Sequence, residues 1–590
     1  MNQIINLFKF YYKLVGNKLF LLFFLMVAAV GFQGLSVSLF LPILQGKDSD
    51  NKITQITGRI FNFLGLEYTL FYLLVFLVCF IFLRSILLVG QASLVGKIMA
   101  DLLVDLRCKI VEKIFQLDYQ SFIKKSTGYF NNAMIVEFQK VVFSFKMFSS
   151  LLVSILFAVM YVGIPLLLNP ILTLIISGIG IPFFFAIKKI NLLTKDYSTQ
   201  TTAHSAGLQK ILMQLLNYFK YLKATSEYSN LLKKAFSSSR TLGKLQFRDH
   251  TLGAITAYGF EPFVVLIIAV VIFCYVGLWG YDIVEIIFLV YLLYNAMKMM
   301  LATQQNTRKL LSSWGSIEVL NTIQKELEES KERIPGKRIT HKVLLNKSIR
   351  FENVSFSYNN GGEILRDINI EIPPNSTVAF VGESGAGKTT VINLLIGLLR
   401  PTEGIISIGE IPYHNIDAHQ IREKVGYMTQ EDVIFNDTIY NNITLWNSNG
   451  LDKDNMKMVK AATNKAHIGE FIRNLKNGYD SVLGEGGINI SGGQRQRICI
   501  ARELYKDAKI LIFDEATSSL DTKTEKEIQK NIDEFKGQKT IIIVAHRLST
   551  VRNSDKIFVL KNGTIVEAGS YEELYRLNGE FKRMVAQQAS

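Results

Sequence analysis

TVAFVGESGAGKTTVINLLIGLL, residues 377–399, reads as three elements in a row. Thr377–Val381 is an uninterrupted apolar strand, Gly382–Gly387 a glycine-rich loop, and the remainder an apolar helix. The loop matches G-x-x-x-x-G-K-[ST], and it sits in the strand-loop-helix context that gives this pattern its meaning. Glycine is needed because the backbone must curl closely round a polyphosphate and turn its N–H groups inward. The helix N-terminus adds a favourable dipole at the same point. Gly382, Glu383, Ser384, Gly385, Ala386 and Gly387 are therefore predicted to cradle phosphate, with Thr390 in the first helical turn beside them. Lys388 would neutralise β/γ-phosphate charge, and the Thr389 hydroxyl would ligate Mg²⁺.

Working outward, residues 348 onward alternate short strands (SIRFENVSFSY, INIEIP, KILIFD, TIIIVAH) with helical segments. That alternation predicts an α/β nucleotide-binding domain over 346–590. The strand Ile510–Phe513 delivers Asp514 and Glu515. Asp514 is the expected second Mg²⁺ ligand, and Glu515 the group that polarises an attacking water. A second anion cradle follows from Ser491-Gly492-Gly493-Gln494, which opens the basic helix RQRICIARELY. A hydroxyl and free N–H groups at a helix start suit phosphate.

With these residues in place the chain resembles the ABC transporter family. Ile490-Ser491-Gly492-Gly493-Gln494 is similar to that family's signature sequence, with Ile490 where Leu is usual. Gln430 in YMTQED resembles the Q-loop, which also contributes to the metal site. Asp521 in SSLD resembles the D-loop, His546 in IVAHRLS the switch histidine, and Tyr358 in FSY the aromatic that stacks on adenine. Glu485 in GEGG lies where exporters carry a loop that touches the membrane domain. The resemblance implies ATP with Mg²⁺ as cofactors and Glu515, His546 and Gln430 as the catalytic set.

The first half has a different composition. The chain has 590 residues, 49% hydrophobic and only 19% charged, against about 25% charged in an ordinary soluble protein. Mean hydropathy is +0.24, which argues against a wholly water-soluble enzyme, and the apolar content is too high for intrinsic disorder. Six stretches, about 19–44, 69–90, 148–168, 171–187, 253–279 and 284–302, are apolar enough to cross a bilayer as helices of about 20 residues. The first is too long for a signal-peptide core, so an uncleaved membrane helix is expected. Of the 65 Lys/Arg and 50 Asp/Glu, 35 and 19 lie before residue 345. The basic residues cluster before the first span and between the fourth and fifth, where 188–253 carries eleven Lys/Arg against three acids. By the positive-inside rule this puts both termini in the cytoplasm of a multi-pass protein of the cell (inner) membrane. It also explains the basic excess without a nucleic-acid partner. Segments 91–147 and 188–252 are expected to carry the helices on into the cytoplasm. Residues 1–325 thus form an all-α six-helix transmembrane domain, 326–345 a linker, and 346–590 a soluble α/β P-loop ATPase domain. The four cysteines are scattered without CxxC spacing, so neither a zinc site nor a disulfide framework is indicated.

Leu117–Phe122 with Ser126-Thr127-Gly128, and Leu222–Thr225 with the stretch to Phe236, resemble the two cytoplasmic coupling regions of half-size exporters. Over nearly its full length the chain is similar to a type IV ABC exporter half-transporter. The family sandwiches ATP between the P-loop of one subunit and the signature of another. One copy of each motif therefore implies a dimer, most simply a homodimer, with a heterodimer as the alternative. GLSVSLFLPILQ and FIFLRS resemble flippases of lipid-linked oligosaccharides, so the leading expectation is an exporter or flippase of an amphipathic lipid or lipid-linked saccharide. Alternatives are a peptide or multidrug exporter, and a membrane-tethered ATPase acting as importer, channel or regulator. Charged groups inside membrane helices face cavities or partners. Arg84 and Lys298 are accordingly the candidate substrate-cavity residues, Arg84 offering a bidentate fork to phosphate or else pairing with an acid to hold the bundle; Glu261 lies nearer a helix end.

Overall fold

The computed structural model describes residues 2–45, 52–63, 65–125, 127–171, 173–174, 181–259, 261–273, 283–332, 346–358, 361–447, 453–514, 530, 533–545 and 548–589. It falls into two compact units: Met1–Leu117 with Lys124–Lys331, and Asp118–Ile123 with Glu332–Ser590.

The first unit is helical. Its main elements are α1 (Asn2–Val15), α2 (Lys18–Ser38), α3 (Leu70–Phe115), α4 (Phe138–Leu168), α5 (Ile181–Asn217), α6 (Ser229–Tyr258), α7 (Glu261–Ile272), α8 (Ile283–Leu311) and α9 (Trp314–Glu329). Among the described residues four helical stretches are long and apolar enough to cross a membrane: Lys18–Leu44, Leu70–Phe115, Gly128–Leu168 and Ile286–Leu311. The 46 residues of α3 run about 69 Å at 1.5 Å per residue, so a single rod covers the apolar stretch and continues well beyond bilayer thickness. Phe71, Phe82 and Val89 of its apolar part are exposed, the pattern of a lipid-facing surface. Val37, Leu41, Phe157, Tyr161, Phe288 and Leu292 instead bury one another where α2, α4 and α8 meet. The expected fourth and fifth spans lie partly outside the described residues. The fifth is interrupted, since α6 ends at Tyr258, Gly259 follows, and α7 restarts with Pro262 in its first turn. Proline has no N–H to donate there and stands well at a helix start.

Residues 326–329, the start of the expected linker, are helical. Helix α9 runs to Glu329 with Leu327 buried, because the apolar spacing of Ile317, Leu320, Ile323 and Leu327 keeps one face packed. Residues 333–345 lie outside the described residues. Glu332 already belongs to the second unit, where its carboxylate pairs with Arg422 at 2.5 Å.

The second unit holds two sheets. Strands β1 (Ile349–Ser357), β2 (Glu363–Ile372), β4 (Glu403–Ile408) and β5 (Ile411–Pro412) form an antiparallel sheet in the order β2-β1-β4-β5. The second sheet has the order β10-β9-β3-β8-β7-β6, from β3 (Thr377–Gly382), β6 (Val425–Met428), β7 (Ile510–Asp514), β8 (Thr540–Val544), β9 (Lys556–Lys561) and β10 (Thr564–Gly569). Strands β9, β3, β8, β7 and β6 run parallel, and β10 returns antiparallel at the edge. Strands β3, β7 and β8 are buried at every position, which is why they read as continuous apolar runs rather than alternating ones. Val381, Leu511, Phe513 and Ile543 pack on one face of the sheet, and Phe380, Ile510, Ile512 and Ile542 on the other.

Candidate functional site

Sheet topology alone assembles most of the predicted site. In a parallel sheet the carboxyl ends of the strands share one edge, and ligands bind in the crevice there. The neighbours β3, β8, β7 and β6 deliver to that edge the glycine-rich loop after β3, Asp514 at the end of β7 and, just past β6, Gln430. Asp514 stands in register with Val544 of β8, and Met428 of β6 with Phe513. Residues 377–544 are thus brought together although Lys388 and Asp514 are 126 positions apart in the chain.

The loop Glu383–Gly387 closes on itself. Gly385 and Gly387 have φ of +84° and +103°, the left-handed region that glycine adopts without a Cβ penalty. At Gly387 a Cβ would also stand 2.6 Å from Leu365 Cδ2, so only glycine fits. Helix α10 (Lys388–Leu395) starts here with Gly387 as its N-cap and no side-chain cap, and an uncapped helix start of this kind suits an anion. Lys388 is buried, and its Nζ donates to the carbonyl oxygens of Gly382 at 2.8 Å and Glu383 at 2.9 Å. The ammonium is thereby held within the loop rather than swept into solvent. Glu383, Ser384, Gly385 and Thr389 are exposed, whereas Ala386 and Thr390 are buried.

Asp514 is buried, and its Oδ2 accepts a hydrogen bond from the Tyr427 hydroxyl at 3.2 Å. Burial, followed by the negative charge of Asp514, pushes the Tyr427 phenol well above its ordinary range. The Thr389 hydroxyl, the Asp514 carboxylate and the Gln430 amide oxygen are all hard oxygen donors. That donor set fits Mg²⁺, which prefers oxygen and keeps several waters.

The second cradle begins α11 (Gly492–Tyr505). Ser491 is its N-cap in extended geometry, and a complete capping box forms: Ser491 Oγ accepts from the Gln494 N–H, and Gln494 Oε1 accepts from the Ser491 N–H at 2.9 Å. Ser491 is exposed. Buried Arg502 anchors the helix further on by donating to the Asn442 carbonyl at 2.7 Å, and Ile490 packs on the core. Gly492 and Gly493 are half-buried. Tyr358 lies half-buried just beyond β1 with its ring edge-on to Phe356 at 4.8 Å. Glu485 is exposed in the turn Glu485–Gly487. Glu515, Asp521 and His546 lie outside the described residues; the chain reaches Asp514 and Ala545 just before two of them.

In the first unit Arg84 lines a cavity of about 310 Å³ together with Gln91, Ser150, Ser154, Tyr161 and Asn306 and several apolar side chains. Its guanidinium lies 5.8 Å from the centre of the Phe157 ring, and its Nε is buried without a hydrogen-bond partner among the described residues. No carboxylate pairs with Arg84 among the described residues. Lys298 does not line this cavity. It points to the exposed side of α8, next to the lining residue Met299, because successive helix positions are about 100° apart.

Sequence reading missed Tyr427, whose signal is its place in a buried strand three residues before Gln430. It also missed the neutral polar wall of the cavity: Gln91, Ser150, Ser154 and Asn306 are spread over α3, α4 and α8 and share no motif.

Two family models match the chain: "ABC transporter transmembrane region" over residues 18–297 and "ABC transporter" over residues 365–518. Among curated proteins, an ATP-dependent lipid A-core flippase of Desulfotalea psychrophila is 40% identical over 49% of this chain and 49% of its own length. One of Coxiella burnetii is 42% identical over 46% of each chain, so these two alignments span about half the length of those relatives. A third such flippase, of Syntrophus aciditrophicus, aligns more fully: 29% identical over 84% of this chain and 82% of its own. Among solved structures, a bacterial Atm1-family ABC exporter with ATP bound superposes with a TM-score of 0.79 at 24% identity, covering 96% of this chain and 98% of that one. That likeness establishes the fold.

Proposed function

The chain belongs to the ABC transporter family, with that family's transmembrane region followed by its ATP-binding domain, and on this premise we propose that it is an ATP-hydrolysing lipid flippase. It would work as a homodimer in the cell membrane with both termini in the cytoplasm. The observation that carries the substrate reading is the cavity around Arg84: one guanidinium, a neutral hydroxyl and amide wall, and apolar flanks. A guanidinium offers phosphate a bidentate fork, hydroxyl and amide groups suit a sugar, and the apolar flanks suit acyl chains. A phospho-glycolipid combines all three, and the relatives named as lipid A-core flippases point the same way.

The nucleotide chemistry would divide among this chain's own residues. The loop 382–387 and the N-terminus of α10 wrap the phosphates, and Lys388 neutralises their charge. Tyr358 packs on the base. Thr389, Asp514 and Gln430 would hold Mg²⁺, which supplies charge neutralisation at the transferring phosphoryl group. Glu515 polarises the attacking water and His546 contacts the γ-phosphate. The exposed Ser491 cradle and Asp521 would close over a nucleotide held by the partner subunit, because a P-loop covers the phosphates from one side only. ATP then favours the closed pair, and that differential affinity turns the helices.

The test is ATPase activity in lipid nanodiscs titrated with a phosphorylated glycolipid and with its dephosphorylated form. Arg84→Ala should weaken half-maximal stimulation by the phosphorylated lipid about tenfold, the size of a lost charge-assisted hydrogen bond, and leave the dephosphorylated response where it was. Equal loss for both lipids refutes phosphate recognition. Stimulation by peptides or dyes but by neither lipid would favour an exporter of those compounds, and turnover that moves no lipid, peptide or dye a tethered ATPase.

A further inference from the structure

The site contains one group that none of the phosphate, metal or signature motifs accounts for. Tyr427 lies on β6, and its hydroxyl donates to Asp514 Oδ2 at 3.2 Å. The ring is half-buried, framed by Val425 and Met428 in the strand, and β6 pairs in parallel with β7, the strand that presents Asp514. A rigid ring on a neighbouring strand fixes the hydroxyl more tightly than a loop residue would. The six residues Asp118–Ile123 also cluster with this unit, and Tyr119 among them lies within electrostatic range of Tyr427.

We propose that Tyr427 is a positioning residue for the metal site. Its hydroxyl donates to one oxygen of Asp514 and so turns the other lone pairs of the carboxylate toward the cation. The inference rests on the nucleotide-site reading above and goes beyond it, since neither strand residue type nor loop motif demands a phenol at this place. Hydrogen bonds that orient a ligating carboxylate typically change metal affinity 10- to 100-fold when removed. An aliphatic residue at 427 would fill the same strand position without orienting Asp514.

The experiment compares full-length protein in nanodiscs with its Tyr427→Phe variant, which keeps the ring and removes only the hydroxyl. Three quantities are read: binding of a fluorescent ATP analogue in EDTA, Mn²⁺ binding to the nucleotide-loaded protein by electron paramagnetic resonance, and ATPase activity against Mg²⁺ concentration. The expected result is unchanged metal-free nucleotide affinity, Mn²⁺ affinity lower by about tenfold, and half-maximal activity shifted to about tenfold higher Mg²⁺. Superimposable metal titrations would overturn the proposal. So would a variant that loses metal-free nucleotide binding to the same extent, since that marks a packing role. Failure of the unsubstituted protein to bind nucleotide at all would instead strike the underlying ATPase reading, so the two failures are distinguishable.

Discussion

At the residue scale, the site depends on groups whose chemistry is set by where the backbone puts them. Lys388 is proposed as a phosphate ligand, and the loop's own carbonyls hold its ammonium in place; the loop can take that shape because Gly387 has neither a Cβ nor a φ restriction. Glu515→Gln keeps the size and the hydrogen-bonding reach of the side chain and removes its charge. It should lower ATP turnover by at least about 100-fold, the usual contribution of a positioned base, while ATP binding persists; phosphate release under saturating ATP measures this, and near-normal turnover would exclude Glu515 as the base. The glycine-rich loop and the serine helix cap were legible because each belongs to a short pattern with a local structural meaning. Tyr427 was not, because a tyrosine in a strand says nothing until the neighbouring strand is known.

At the element scale, caps and strand ends carry the argument. Ser491 does two jobs in one place, closing the capping box of α11 and presenting its exposed hydroxyl at the helix start. Ser491→Ala should cost about 1 kcal/mol of stability, the ordinary value of an N-cap, and should also reduce turnover by more than that loss of folded protein explains. Melting curves and specific activity on the same sample separate the two effects. Asp437 supplies a pH test in the segment before the helix Ile439–Thr444. Its carboxylate accepts from Asn441 Nδ2 at 2.9 Å, the Thr438 N–H at 2.6 Å and Trp446 Nε1 at 2.9 Å. Those donors, Asn441 foremost, hold it below the usual carboxylate value. A lowered folded-state pKa means stability that is present above the unfolded value of about 3.9 and lost as pH falls through the folded one. Melting temperature should therefore drop as pH falls from 5 toward 3, and Asp437→Asn should flatten that limb; an identical acid response in the variant would remove Asp437 from the account. Strand existence was readable from runs such as ILIFD and TIIIV. The break between α6 and α7 was not, because Gly259 and Pro262 are individually tolerated within apolar stretches, and only helix geometry shows which one interrupts.

At the scale of the whole molecule, the proposed homodimer is testable through its shared nucleotide site, in which the exposed Ser491 of one chain would close over a nucleotide held by the P-loop of the other. With the native cysteines replaced, Ser384→Cys together with Ser491→Cys should yield covalent dimers under mild oxidation, more of them with ATP and Glu515→Gln than without nucleotide. Gel mobility reads the result, and exclusively intrachain linkage would refute the shared site.

Sequence by itself determined the two-part architecture, the glycine-rich loop after β3 and the capped helix start at Ser491, because membrane helices, glycine loops and helix caps are local and announce themselves within about 20 residues. Tertiary structure alone decided that Arg84 borders a polar cavity while Lys298 turns away from it, and that Tyr427 meets Asp514. Which side chains share a space depends on helix phase and strand order, and these are settled by packing between elements far apart in the chain.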